Sequence, residues 1–296
     1  MCRRNARKLQ TTTSLIFCPC DIFYTEQSRP RESVIREIEE LARSGYREIT
    51  LLGQNIDAWG RDLTPKQKFS DLLHAVGRVE GIKRVRFVTS HPRYMSMNVV
   101  DAVASIPNMC EMFHVPVQSG DDDILKKMSR GYTVSKFLKI VERIRSLLPD
   151  AAVTSDIIVG FPGETEAQFQ NTLRLMEIVK FDQVNTAAYS PRPNTPAAIY
   201  EEQISNEVKS DRLQRINKLA AEHAMERNHR YLGREVEVLV ESRHVKDPRL
   251  VKGRNRQGRP VLFEGNIEEL RGKLVPVLIK EVRSYMLSGI RAGLAT

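Results

Sequence analysis

Cysteine is scarce in this chain: four in 296 residues, at positions 2, 18, 20 and 110. So few thiols at such irregular spacing exclude a secreted disulfide framework and point to a reducing compartment. No apolar run reaches the roughly 18 residues that a membrane span needs, so no membrane partner is expected. The opening MCRRNARKLQTTTS lacks the apolar core of a secretory signal. Basic and hydroxyl-rich, it reads equally as an organelle transit segment or as a ragged terminus. The expected location is therefore cytoplasmic, or an organelle matrix or stroma if the terminus is a transit segment. Acidic residues are outnumbered, 37 Asp and Glu against 46 Lys and Arg, giving a net charge of +9. Such an excess suits a polyanionic partner and also suits many soluble enzymes.

What is present is an alternation of helical and extended patterns, on a length that suggests a large domain with a small companion. PRESVIREIEELARSG places Val34, Ile35, Ile38, Leu41 and Ala42 at helical spacing, with Pro30 at the first turn and Gly45 at the end. REITLLGQN follows as a short apolar run, the pattern of a strand buried on both faces. The unit recurs at RVRFVTS, MFHVPVQSG, AVTSDIIVGF and QVNTAAYS, with SLIF (14–17) a sixth candidate strand. Alternating βα units imply a parallel sheet, open or closed into a partial barrel, whose chemistry sits at the C-terminal ends of its strands. That rule picks out GQN, TSHP, QSG, GFPGE and YSPR.

Near residue 230 the character changes. A long helical pattern from Ile204 to about Arg230 gives way to EVEVLVE, RPVLFEG and KLVPVLIKEV, the marks of a small β-barrel. From Glu226 to Thr296 there are 15 Lys or Arg against nine Asp or Glu, a local charge of +6. Lys252, Arg254, Arg256 and Arg259 cluster in an expected loop between strands, where they could grip RNA phosphates or simply be solvated.

In order and spacing, LLGQNIDAWG, TSHPRYM, HVPVQSGDDDILKKMSRGYT, SDIIVGFPGETEAQF and YSPRPNTPA resemble the radical S-adenosylmethionine methylthiotransferases. The likeness runs from about Ser28 to the C-terminus, where GREVEVLVE and ELRGKLVPVLIKEVRSYMLSG resemble the family's RNA-binding TRAM barrel. It implies an α/β fold, a partial (β/α)6 radical-SAM barrel followed by a small all-β TRAM-like barrel. The expected division is a cluster-loop region at 1–27, a radical SAM core at 28–225 and a TRAM-like RNA-binding domain at 226–290. Implied cofactors are S-adenosylmethionine and a [4Fe-4S] cluster that cleaves it to a hydrogen-abstracting radical. Implied partners are tRNA, an electron donor and a sulfur source, and the implied reaction adds a methylthio group to isopentenyladenosine beside the anticodon. A non-catalytic tRNA-binding remnant is the alternative.

Residue chemistry suits that cofactor. Gln54 and Asn55 can accept from its ammonium and donate to its carboxylate, or simply form a strand-end turn. Ser90 and His91 bring a hydroxyl and an imidazole to the next strand end, with a core histidine the plainer reading. Gln118 and Ser119 open a loop into a helix whose Asp121, Asp122 and Asp123 suit capping. Arg130 can fork onto a carboxylate or lie on the surface. Gly160 and Gly163 permit close backbone approach around Pro162, although a turn of Gly and Pro needs them for geometry alone. Asp156 and Glu164 are both candidates for a polar cofactor contact. Trp59 and Cys110 read as packing residues.

The resemblance implies a Cys-x3-Cys-x2-Cys loop after the first strand, because iron–sulfur clusters take thiolate ligands. With Cys20 as the third member, the other two fall at Thr13 and Phe17. Cys18 is one residue out of register, so Cys18 and Cys20 are the metal-ligand candidates in an incomplete set. The family's additional N-terminal domain is also expected to be missing. A fragment, a degenerate copy and a mistranslated gene model all fit that expectation.

Overall fold

Six parallel strands in chain order line one side of the molecule's larger layer. They are β1 (Thr13–Phe17), β2 (Glu48–Leu52), β3 (Arg84–Val88), β4 (Met112–His114), β5 (Ala152–Val159) and β6 (Gln183–Ala188). The computed structural model describes residues 13–17, 27–53, 55–88, 90–193 and 195–293, with backbone only for 13–17. Strands β1, β2 and β3 pair in one three-stranded ladder and β4, β5 and β6 in another. A bridge between Val85 and Met109 and the bond from the Ser90 N–H to the His114 carbonyl (3.1 Å) join the two into one arc.

Helices α1 (Arg31–Arg43), α2 (Phe69–Gly77), α3 (Met97–Ser105), α4 (Asp122–Lys127), α5 (Val134–Leu147) and α6 (Glu166–Val179) connect these strands. Their apolar stripes meet the outer face of the sheet: Val34 and Ile38 from α1, Phe137 and Ile144 from α5, and Phe169 and Met176 from α6 are buried. Phe87 stands edge-on to Phe69 and to Phe113, with ring centroids 5.5 and 6.1 Å apart. Such aromatic contacts add to the burial that drives packing. Trp59 and Cys110 are buried as packing residues.

The inner face differs from a sheet that is apolar on both sides. Glu48, Arg84 and Arg86 are buried polar residues on β2 and β3, and Thr154 is another on β5. The Arg86 Nε lies 3.1 Å from Glu48, so these charges are paired within the arc as buried charges must be.

Helix α7 (Asn206–His229) leads to a closed five-stranded barrel. Its strands are β7 (Glu235–Arg243), β8 (Leu250–Arg254), β9 (Pro260–Glu264), β10 (Leu274–Arg283) and β11 (Met286–Arg291), in the order β10-β11-β9-β8-β7, with the short α8 (Ile267–Leu270) between β9 and β10. β7 pairs with β10 and closes the ring. Val238, Val240, Val251, Val261, Phe263 and Val277 fill it. The fold is thus an α/β arc followed by a small closed β-barrel.

The two parts meet at the N-terminal ends of the arc's strands. Arg84, first in β3, donates to the Arg254 carbonyl at 2.8 Å and to the Glu237 carbonyl at 2.7 Å. Arg86 donates to the carbonyls of Asn255 and Arg256, both at 2.7 Å. The turn from Asn255 to Arg259 is therefore a plug seated in the base of the arc. Gly258 has φ +78°, and a Cβ there would sit 2.5 Å from the Met112 sulfur, so glycine is required at that contact.

Candidate functional site

The opposite end of the arc collects the strand-end segments. Ser90 and His91 leave β3 there, and the buried carboxylate of Asp57 fixes them. Its Oδ1 accepts from the Ser90 hydroxyl at 3.2 Å and its Oδ2 from the His91 N–H at 2.8 Å. Burial pushes the Asp57 carboxyl up to about 7, against the lowering effect of those two bonds. The Ser90 hydroxyl is therefore committed within the fold. The His91 ring packs against Tyr132 and Tyr94, at centroid distances of 5.3 and 5.5 Å, and its Nδ1 accepts the Arg93 N–H. Asn55 stands at the start of a short 3-10 turn (Ile56–Ala58) and lines a cleft of about 210 Å³ with Trp59 and Arg61. Gln54 lies outside the described residues, as do Cys18 and Cys20.

Further around the rim, Gln118 is buried in a left-handed conformation (φ 68°), with its carbonyl accepting from the Ile158 N–H at 2.9 Å. Ser119 is fully buried, and its hydroxyl accepts the Asp121 N–H. Asp121 in turn caps α4 by accepting from the Asp123 and Ile124 amides. These residues shape the loop that delivers Arg130.

Arg130 lines a cavity of about 510 Å³ at the ends of β5 and β6, with Phe161, Tyr189, Tyr200 and Arg192 among its walls. Its Nε is buried without a hydrogen-bond partner among the described residues. A buried, unsatisfied guanidinium nitrogen beside an open cavity is what an absent anionic group would complete. Phe161 meets Tyr189 edge-on at 5.1 Å, giving the cavity an aromatic wall. A larger opening of about 690 Å³ lies between α1 and α2, and its lining includes none of the candidate residues.

Asp156 projects from β5 with its side chain 36% exposed. Partial burial opposes its charge, but His114 (3.3 Å), Asn185 (2.9 Å) and the Arg130 charge hold its carboxyl below the usual range. Glu164 has a different task. It is 2% exposed, accepts the Gly160 N–H at 2.7 Å and binds Arg212 of α7 at 2.8 Å, so it fastens the Gly-Phe-Pro-Gly turn to the helix behind. Burial raises its carboxyl above the ordinary value in spite of those partners. Between the two acids, Asp156 is the one with exposed oxygen. Gly160 has φ +71°, and a Cβ there would meet the Lys209 side chain at 2.5 Å.

The basic cluster expected to grip phosphate is placed differently from the loop its sequence suggested. Lys252 and Arg254 lie on β8 rather than in a loop, and of the four only Lys252 is exposed. Arg254 pairs with Glu241 at 2.6 Å, Arg256 with Glu111 at 2.6 Å, and Arg259 is 3% exposed beside Asp182. Arg254 also lies 3.7 Å from Glu48 of the arc, so acidic groups of the arc and barrel hold three of the four at the junction, a pairing that sequence spacing alone does not reveal. Asp57, His114 and Asn185 were missed as site-shaping residues. The signal for His114 was its place two residues before Pro116 and four before Gln118 in a period-2 segment.

A sequence-family comparison matches residues 16–176 to the Radical SAM superfamily. The chain belongs to that superfamily. A second match assigns residues 229–290 to the TRAM domain, which coincides with the five-stranded barrel. Among solved structures, this radical SAM protein is similar to the radical S-adenosylmethionine methyltransferase TsrM from Kitasatospora setae, which was solved with cobalamin and a [4Fe-4S] cluster. That match has 17% identity over 58% of this chain and 33% of that one, with TM-score 0.47. It is also similar to Streptococcus suis SuiB bound to S-adenosylmethionine, at 13% identity over 70% of this chain and 42% of that one, TM-score 0.42. A third match is the archaeal Methanocaldococcus infernus Elp3, at 13% identity over 86% of this chain and 74% of that one, TM-score 0.31. The radical SAM chain described here thus spans about a third to two-fifths of the first two relatives.

The described residues fit S-adenosylmethionine. Arg130 offers an unsatisfied donor for a carboxylate, Asp156 an exposed acceptor, and the aromatic wall a surface for a purine. For a cluster, no group of three His, Cys, Asp or Glu side chains converges among the described residues.

Proposed function

We propose that this radical SAM protein modifies tRNA as a methylthiotransferase acting on isopentenyladenosine next to the anticodon. The observation that carries the reading is the union of a radical SAM arc, with an anion-ready cavity at its mouth, and a TRAM barrel in one chain. The five ordered strand-end motifs narrow it to methylthiolation. When bound, S-adenosylmethionine supplies radical chemistry, and the protein's share is placement and exclusion of water. Arg130 would hold the carboxylate, Asp156 a hydroxyl or ammonium, and Phe161 and Tyr189 a ring face. Partners required by that reaction are an electron donor and a sulfur source.

Cells lacking the gene should lose methylthio-isopentenyladenosine from their tRNA, read by nucleoside mass spectrometry, and regain it with the full-length gene. Persistence of that nucleoside alongside loss of a different methylthio base would overturn the assignment. The second reading, an RNA-binding protein without catalysis, draws on Thr13 and Phe17 standing where thiolates are expected. It predicts tRNA binding with no iron retained after anaerobic reconstitution.

A further inference from the structure

Three of the four basic residues expected to hold phosphate are spent at the base of the arc, far along the strands from the cavity. A nucleotide whose base enters the cavity leaves its flanking phosphates at the mouth, so cations must be sought there. Such a set exists around Tyr94. The Arg61 guanidinium lies 4.8 Å from the Tyr94 ring centroid and that of Arg93 lies 5.5 Å away. Both arginines are exposed, and neither has a carboxylate partner among the described residues. Lys136 donates to the Arg93 carbonyl at 2.8 Å, placing an ammonium group beside the same segment.

The strip is continuous with the cavity. The Arg93 side chain lies over Gly131, where a Cβ would sit 3.2 Å from its Nη1, and Gly131 directly follows Arg130 of the cavity wall. On the other side of that wall stands Arg192, which is exposed. Guanidinium groups resting on an aromatic face are already ordered and partly desolvated, so less freedom is lost when they bind an anion. Their planar forks match phosphate oxygens.

We propose that Arg61 and Arg93, held on Tyr94, bind the backbone phosphates of single-stranded RNA as it crosses the mouth of the radical SAM arc. The proposal rests on the tRNA-modifying reading and adds the surface that presents the substrate. On this account the TRAM barrel supplies a second contact, and the arginines at its junction supply none.

The test is a salt series of binding isotherms between the full chain and an anticodon stem-loop RNA, read by fluorescence anisotropy. The double variant Arg61→Gln, Arg93→Gln should bind at least about tenfold more weakly, with the slope of log K against log salt reduced by about 1.4, the value for two single-strand phosphate contacts. A control with equal charge loss on α1, Arg36→Gln with Arg43→Gln, should change neither. Tyr94→Leu should weaken binding severalfold while keeping the charge.

Wild-type binding with an unchanged rim variant, or an equal loss in the α1 control, would overturn the proposal and leave the tRNA reading standing. No binding by the wild type would overturn both. Loss of binding to polyglutamate with RNA binding intact would assign the strip to an acidic protein and likewise overturn it.

Discussion

Asp182, at the foot of β6, and Arg259, in the turn between β8 and β9, are both buried and face each other across the junction of the two domains. The Arg259 guanidinium lies 3.7 Å from the Asp182 carboxylate and also donates to its carbonyl oxygen. Arg145 of α5 and Arg230, just past α7, reach the same carboxylate at 3.2 and 2.7 Å, and Arg227 of α7 reaches it at 3.5 Å. Burial alone would raise this acid, but the surrounding guanidiniums hold it below the ordinary range. One carboxylate thus ties the arc, the connecting helix and the barrel together.

Asp182→Asn should therefore destabilise the whole protein. Removing the charge leaves buried guanidiniums uncompensated, at a cost of about 3–5 kcal/mol. Urea denaturation checks this, and an unchanged midpoint would refute it. The wild type should lose the same contribution as pH falls through the depressed value of Asp182, below the ordinary carboxylate range.

Arg256→Ala should behave as a junction variant. Its pairing with Glu111 predicts lower thermal stability, whereas the salt dependence of RNA binding should stay at the wild-type slope. A reduced slope at unchanged stability would return Arg256 to the role that its sequence context implied.

Asp57 predicts a pH dependence of the opposite kind. The folded carboxyl keeps its proton up to about pH 7. The unfolded chain releases it near pH 4, so stability is greatest at low pH, declines between those values and levels off above them. The decline attributable to this group is up to about 4 kcal/mol, and Asp57→Asn should flatten it. Equal pH profiles for variant and wild type, measured by thermal melting, would contradict the assignment.

Gly160→Val should cost stability through its left-handed backbone and its clash with Lys209, and should abolish S-adenosylmethionine binding. Calorimetry on the folded variant distinguishes the two effects. Unchanged affinity would count against the turn as part of the cofactor cradle.

Much of the architecture was legible in the sequence because βα alternation repeats a physical pattern: apolar strand, polar strand end, amphipathic helix. Strand ends at 53, 90, 118 and 160 fell where that pattern put them. The junction was not legible. Glu48, Arg84 and Arg86 interrupt runs that otherwise read as buried strands, and their alternate spacing in RVRFV marks a polar inner face. What that face would meet depends on residues about 150 to 170 positions later, and no local rule carries that information. For the same reason Arg254, Arg256 and Arg259 read as a phosphate grip. Ser90 and Glu164 have the right chemistry for a ligand, yet each is engaged by a distant partner, Asp57 and Arg212, that only the fold brings to it.

Calorimetric titration of S-adenosylmethionine into wild type and Arg130→Gln tests the central claim, that the mouth of the arc is a cofactor site, most directly. The account predicts binding by the wild type and at least about tenfold weaker binding by the variant, because the fork that meets the carboxylate is gone while the fold is unchanged. Equal affinities in two folded proteins would contradict it.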